Sequence, residues 1–396
     1  MQKKNLTLED KQYNKIKTKW TKKVHKVLNY EVKTKGKNGQ TYSKQRYRYF
    51  YDKWAIKGYC GQGFYLHNRE ICKQKSRPYC WGYDMHWAYG GALLNYNYPL
   101  NNEKTSTPTS LGIYKILFSA PKIKLQYMNF YYNIYMKNAI KYKDKYILYI
   151  TNIDYEIFRD LYDTDAVIID KVYYKNIGPL PDKLKDIVKE AYIEKKKPEN
   201  IPYKKAFESA FYGKLCQGIY KTRDDKLLYL NNENNMTEIK VAMDLTGLDG
   251  DVDLKNQIRT IYCIIPTFQT AYIRKQEWLN FKANKDYVVY MNTDSIYAIK
   301  PLNLGEDKGL GCYGIECENT PIRFIRYNAY IKFNLDGSIK ESKISGMTDD
   351  RTLSPALIEL LENNKQPISV YGRYKKDGEI VEGLFDLEPS YLLDNY

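Results

Sequence analysis

Residues 286–300 read DYVVYMNTDSIYAIK, and the pattern in them sets the reading of the whole chain. Val288 and Tyr290 alternate with Val289 and Met291, then Ile296 and Ala298 alternate with Tyr297 and Ile299. Period-two alternation on both sides of a polar tip, Asn292, Thr293 and Asp294, predicts a half-buried β-hairpin. A carboxylate at such a tip is held by rigid strands while its oxygens face open space. Metal-dependent phosphoryl transfer needs an acid fixed in that way, holding a hard cation over a phosphate. A polar turn with an acid facing water is the alternative, and the tip alone does not choose between them.

The chain around it has 396 residues, enough to bury a sizeable core and to divide into two or three subdomains. Lys and Arg outnumber Asp and Glu by 63 to 47, a net charge of +16 that favours a polyanionic partner, nucleic acid first and an acidic membrane surface second. Tyrosine and lysine interleave in YSKQRYRYFYDKW (42–54) and YYNIYMKNAIKYKDKY (131–146). Such stretches can neutralise phosphates and stack on bases, although an AT-rich genome would enrich the same residue types. The cysteines show no Cys-x-x-Cys pair. Cys60, His67, Cys72 and Cys80 match no standard zinc spacing, so free thiols in a reducing compartment are expected. The N-terminus lacks an apolar signal core and no run approaches membrane-spanning length, which predicts a soluble, cytoplasmic protein, in a bacterial cell or a host cytoplasm, with no membrane partner.

Ile16, Trp20, Val24 and Leu28 recur every fourth residue in the basic N-terminal extension (1–52), predicting an amphipathic helix with a lysine-rich outer face. That helix is either packed on the body or a nucleic-acid arm, and the second reading is slightly preferred. KGYCGQGF (57–64) is a glycine-rich turn that would let backbone approach a ligand or phosphate. YCWGYD (79–84) is a short strand ending on an acid. Residues 111–180 alternate strands with a helix, IDYEIFRDLYD, for which Asn152 is the expected N-cap and Asp154 and Glu156 suit the first turn. YKKAFESAFYGKLC (203–216) reads as a helix with Lys205, Ser209 and Tyr212 on one face, and a lysine there implies that the face looks into a cleft. A further helix, from Thr267 to about Lys282, feeds the hairpin, and PALIELLENN (355–364) reads as a helix near the C-terminus.

Asp84 and Asp294 thus stand on two strand ends, with a helix between them in sequence that offers Lys205 and Tyr212. Two such carboxylates would hold two divalent ions able to bind a triphosphate and activate a 3′-hydroxyl. The lysine would neutralise developing phosphate charge and the tyrosine would stack on a base or sugar. No G-x-S-x-G, Walker A or G-x-G-x-x-G sequence competes with this reading.

The order and spacing of these residues resemble the polymerase module of family B DNA polymerases, in the protein-primed branch of small linear phages and linear plasmids. YDMHWAYG (83–90) resembles motif A, with Asp84 as its aspartate and Tyr89 at its sugar-discriminating tyrosine. KAFESAFYGK (205–214) resembles motif B, K-x-x-x-N-S-x-Y-G, and YMNTDS (290–295) resembles motif C, Y-x-D-T-D-S. Tyr59 and Gly61 fall in a turn like the template-binding Y-x-G-G/A, Asn328 and Tyr330 lie where the family has K-x-Y, and Lys343 opens KISGMT, which resembles the segment leading into the thumb. The resemblance covers roughly residues 53–390 and rests on three ordered motifs.

What the resemblance implies is an α+β right-hand polymerase fold with palm, fingers and thumb on an antiparallel palm sheet. Its parts would be palm with motif A (53–110), a terminal-protein-region-1-like insertion (111–180), fingers with motif B (181–216), a terminal-protein-region-2-like insertion (217–258), palm with motif C (259–334) and thumb (335–396). Asp84 and Asp294 would be the catalytic metal ligands for two Mg²⁺ or Mn²⁺ ions. Tyr89, Lys205, Ser209 and Tyr212 would bind the nucleotide, while Tyr59, Gly61, Asn328, Tyr330 and Lys343 would bind nucleic acid. The implied partners are a DNA primer-template, dNTPs and a priming terminal protein. Little chain precedes the Tyr59 turn, so a 3′–5′ exonuclease is expected to be absent or supplied by a separate subunit.

Four departures qualify this picture. Asn292 replaces the first motif C aspartate, keeping shape and one acceptor but losing a charge. Ser209 and Ala210 stand where motif B has Asn and Ser, and Asn328 stands where K-x-Y has Lys. Motif A has Trp87, Ala88 and Gly90 in place of Ser, Leu and Pro. Two alternatives therefore stay open beside a DNA-directed DNA polymerase: a degenerate polymerase acting as a nucleic-acid or terminal-protein binding factor, and a template-independent nucleotidyltransferase.

Overall fold

The computed structural model describes residues 8–35, 41–47, 52–58, 63–68, 70–72, 77–125, 128–130, 134–213, 215, 220–223, 226–230, 236–238, 264–304, 309–326, 329–344, 368–376 and 379–387. Its centre is an antiparallel sheet of eight strands: β1 (Tyr65–Asn68), β2 (Tyr79–Met85), β3 (Met128–Phe130), β4 (Val288–Asn292), β5 (Ser295–Ala298), β6 (Tyr313–Arg326), β7 (Ala329–Phe333) and β8 (Ile339–Ile344). Their spatial order is β8-β7-β6-β2-β5-β4-β1-β3. The predicted hairpin is β4–β5, and β2 lies directly beside it.

The hairpin is buried on both faces rather than half-buried. Val288, Met291, Ile296 and Ala298 join one core with Trp278 and Phe281, whereas Val289, Tyr290 and Tyr297 join another with Phe324 and Tyr330. Val288 therefore shares a face with Met291, not with Tyr290 as strict alternation requires. A register shift between Val288 and Tyr290 explains this, because an extra residue on one strand inverts the alternation beyond it.

Six helices matter to the site: α1 (Leu8–Leu28), α2 (Ala88–Asn95), α3 (Asn152–Leu161), α4 (Asp182–Lys195), α5 (Lys204–Phe211) and α6 (Ile264–Asn284). The apolar stripe of α1 is inside, not free. Trp20 is 1% exposed and its ring lies 5.7 Å from Phe207 and 6.2 Å from Phe211 of α5. Burying a side chain of this kind contributes roughly 1.5–3 kcal/mol, so α1 belongs to the body and only its lysine-rich outer face is open to a polyanion. The helix α5 ends at Phe211, shorter than predicted, and α6 is longer at both ends.

A second antiparallel sheet carries Lys104–Thr105, Gly112–Phe118, Ile140–Tyr142, Lys145–Thr151 and Val167–Tyr174, with α3 packed against it. The N-cap of α3 is Thr151, whose hydroxyl accepts from the Asp154 amide, one residue before the expected Asn152. Asn152 instead closes the loop before the sheet, accepting from Gly112 N and donating to Ser110 O. Asp154 does not face the solvent at the helix start. It is fully buried and accepts from Arg274 Nε at 2.6 Å and Nη2 at 2.8 Å, which fastens this sheet to α6. Toward the C-terminus, Ile368–Lys376 and Glu379–Leu387 form a hairpin, while the predicted 355–364 helix lies outside the described residues. Among the described residues no helix is long and apolar enough to cross a membrane.

Candidate active site

Sheet order brings the two acids together. Asp84, at the end of β2, is the register partner of Ser295, and the Met85 amide donates to the Asp294 carbonyl at 2.9 Å. The hairpin tip is tight: Thr293 has φ 58°, in the left-handed region that costs a β-branched residue energy, and the Asp294 amide donates to Asn292 O at 2.7 Å. Surrounding contacts hold this conformation. The Thr293 amide donates to Phe64 O at 2.9 Å, and its hydroxyl bonds Tyr65 OH at 2.9 Å. The glycine-rich turn serves the same tip. A Cβ on Gly63 would stand 2.6 Å from Thr293 Cα, so this glycine admits the hairpin backbone rather than a ligand.

Both carboxyls bind protons more tightly than ordinary aspartates. Asp84 is open to solvent at the floor of a concave cleft; desolvation first, then the charges of Asp294 and Glu316, raise it to about 7. Asp294 is raised to about 6 by desolvation and then by Glu208, while Lys343 and Lys205 pull it down. The lysines predicted to meet DNA and nucleotide are therefore close enough to be felt at the acids, and both side chains are exposed. Hard oxygens crowded into mutual repulsion fit a divalent cation, which relieves what a proton otherwise relieves. Among the described residues no cluster of three or more His, Cys, Asp or Glu side chains competes as a metal site.

The nucleotide face is built where α2 meets α5. Tyr89 and Tyr212 stack at 4.0 Å with an interplanar angle of 22°. Gln269 of α6, fully buried, donates through Nε2 to Tyr89 O at 2.7 Å and to Phe211 O at 3.3 Å, clamping the two helices together. Trp87 enters α2 with φ 51°, its ring edge-on to Phe211 at 5.1 Å and passing over Gly90, where a Cβ would meet the indole at 2.7 Å. The glycine that replaces proline in motif A thus makes room for the tryptophan that replaces serine. Ser209 is partly buried on α5 and donates to Ala206 O at 3.2 Å.

Tyr330 is 2% exposed, inside the aromatic cluster of Tyr290, Tyr297 and Phe324. Its hydroxyl accepts from Tyr297 OH at 3.0 Å, and Tyr297 also donates to Glu316 at 2.6 Å. Lys332, nearly buried, bridges Glu316 and Glu341 at 3.0 Å each. Burial alone would raise Glu316, but the Tyr297 hydrogen bond and the Lys332 charge outweigh it, so Glu316 stays anionic close to Asp84. Lys343 is the cross-strand partner of Tyr330 and sits 5.6 Å from its ring. Tyr59, Gly61 and Asn328 lie outside the described residues. Sequence reasoning missed Gln269, Glu208, Glu316 and Lys332. A polar residue inside the apolar run IIPTFQTAYI was the available signal for Gln269.

Comparison with solved structures finds the same architecture. Phi29 DNA polymerase complexed with primer-template DNA and incoming nucleotide substrates superposes with a TM-score of 0.56 at 18% identity, covering 97% of this chain and 68% of that one. Its orthorhombic crystal form gives 0.54 at 19%, covering 86% and 64%, and its complex with single-stranded DNA gives 0.55 at 18%, covering 85% and 62%. The chain therefore spans about two thirds of these structures. No protein-family model matches it, and no curated protein matches it. At this identity the likeness establishes the fold, a right-hand polymerase fold, in agreement with the motif resemblance.

Proposed function

We propose that the chain is a DNA-directed DNA polymerase that transfers a nucleotide from a dNTP to a 3′-hydroxyl, or to a protein hydroxyl when initiation is protein-primed. The observation that carries this reading is the meeting of Asp84 and Asp294 on adjoining strands below the stacked Tyr89 and Tyr212. Asp84 and Asp294 would hold two Mg²⁺ or Mn²⁺ ions, which when bound neutralise the triphosphate and activate the attacking hydroxyl. Lys205 supplies charge to the phosphates, the Tyr89–Tyr212 stack supplies a flat wall for sugar and base, and Lys343 supplies a cation on the primer side. The sheet at 104–174 is the docking region for a priming protein. Primer extension with each dNTP and rNTP, on DNA and RNA templates in Mg²⁺ and Mn²⁺, tests the assignment; no incorporation in either metal refutes it.

The raised acids give a pH signature. Where folding raises a carboxyl's pKa, its ionised form destabilises the fold, so the apo protein loses stability as pH climbs through about 6 to 7. A divalent ion reverses that loss only once the acids are ionised. Mn²⁺ is therefore expected to raise the melting temperature more at pH 8 than at pH 5.5, and an equal rise at both would contradict cation binding between these acids.

Asn292 supports a second reading, a binding factor with weakened chemistry. Its amide donates to Tyr290 OH and its carbonyl accepts from Thr293 Oγ1, both at 3.2 Å, so the side chain is engaged in shaping the tip. Asn292→Asp separates the two: a rise in incorporation of about tenfold or more is expected of a competent scaffold, from the added charge on a cation. Salt-sensitive DNA binding without turnover in either form would favour the binding factor.

A further inference from the structure

The helix α1 comes from residues 1–52, outside the stretch that carries the motif resemblance, yet it packs on the back of motif B. Ile16, Trp20, Val24 and Leu28 share one core with Phe207, Ala210 and Phe211, and the ring of Tyr13 is packed against that same core. One end of the Tyr13 side chain is thereby fixed. Its phenol lies in hydrogen-bonding contact with Ser209 and close to Glu208, whose charge also reaches Asp294. Burial raises the phenol's pKa, with the Ser209 contact acting against the rise, so at neutral pH it is a neutral hydroxyl.

Ser209 stands on the α5 stretch whose other members, Lys205 and Tyr212, face the acids and Tyr89. It is also where motif B of the resembled family has an asparagine. Serine is shorter and offers a single hydroxyl; the Tyr13 phenol stands beside it and brings a second one from another helix. We propose that Tyr13 is a positioning residue for the incoming deoxynucleoside triphosphate, holding Ser209 in the orientation that the nucleotide meets, so that α1 is a working part of the nucleotide site. This rests on the polymerase reading of the same cleft.

Tyr13→Phe removes only the hydroxyl and leaves the ring in its packing. In the full chain it is expected to raise the dNTP KM, and the Kd of a fluorescent dATP analogue, by about threefold to tenfold, the range of one neutral hydrogen bond. The kcat, the primer-template Kd and the melting temperature should stay unchanged. In a Ser209→Asn background, where the longer amide supplies its own donor and acceptor, the same substitution should have little further effect. Tyr13→Phe with unchanged nucleotide KM and Kd overturns the proposal, and so does a parallel fall in kcat, DNA affinity and melting temperature, which would mark a purely structural role. If the unaltered chain neither binds the analogue nor extends a primer, the polymerase reading itself fails and takes this proposal with it.

Discussion

Asp84→Asn and Asp294→Asn are each expected to lower nucleotide incorporation by on the order of a thousandfold while leaving the fold intact or more stable. The two halves of this result have one cause. Both carboxyls sit where desolvation and mutual repulsion disfavour their ionised forms, raising them to about 7 and about 6. Removing one negative charge removes that repulsion, so above pH 7 the apo variant should melt at or above the temperature of the unaltered chain. It also removes half of the only charged oxygen set on the tip, so cation binding and catalysis are lost together. Primer extension, Mn²⁺ titration and thermal melting on the same preparations check all three. Activity retained in either variant ends the assignment of the acids, whereas a fall in melting temperature of many degrees would mean that they hold the fold.

Arg274→Met is expected to destabilise the protein by about 3–5 kcal/mol, the cost of leaving one member of a buried pair without its counter-charge. Asp154 is completely buried and accepts from Arg274, from Thr151 Oγ1 at 2.8 Å and from Tyr135 OH at 3.1 Å. Without the guanidinium, its charge would face a hydrophobic wall of Phe158 and Tyr135. Arg274 lies on α6, one turn past Gln269, so the same substitution loosens the helix that feeds the hairpin and clamps Tyr89 to Phe211. Asp154→Leu should cost a similar amount. The double variant should recover much of the loss, because an apolar pair of matching volume carries no desolvation penalty. Urea midpoints of the two single variants and the double variant measure this cycle. A change below about 1 kcal/mol in either single variant would show that solvent reaches the pair.

The hairpin, the motif A strand and the motif B helix were legible in the sequence because their signals are local. Alternation, a polar tip and a helical face depend on residues a few positions apart, and the backbone period fixes them. The sequence also determined which acids could serve chemistry, since Asp84 and Asp294 end apolar strands that must be buried. It could not determine that a shift at Val289 puts Val288 and Met291 on one face, because a bulge depends on the partner strand.

Other decisions belonged to tertiary structure. Asp154 suited a helix start equally well as a surface charge, and only the approach of α6 made it half of a buried ion pair. Gly63 suited a phosphate loop until the strained Thr293 tip occupied the space that its missing Cβ leaves. The N-terminal stripe from Ile16 to Leu28 fixed one face of a helix but not its neighbour, and the neighbour proved to be motif B. The sequence alone set the period, the caps within a residue and the chemistry on offer. Contacts between segments far apart in the chain decided which of those groups are spent on packing and which are left facing the cleft, since desolvation and steric exclusion act through space rather than along the chain.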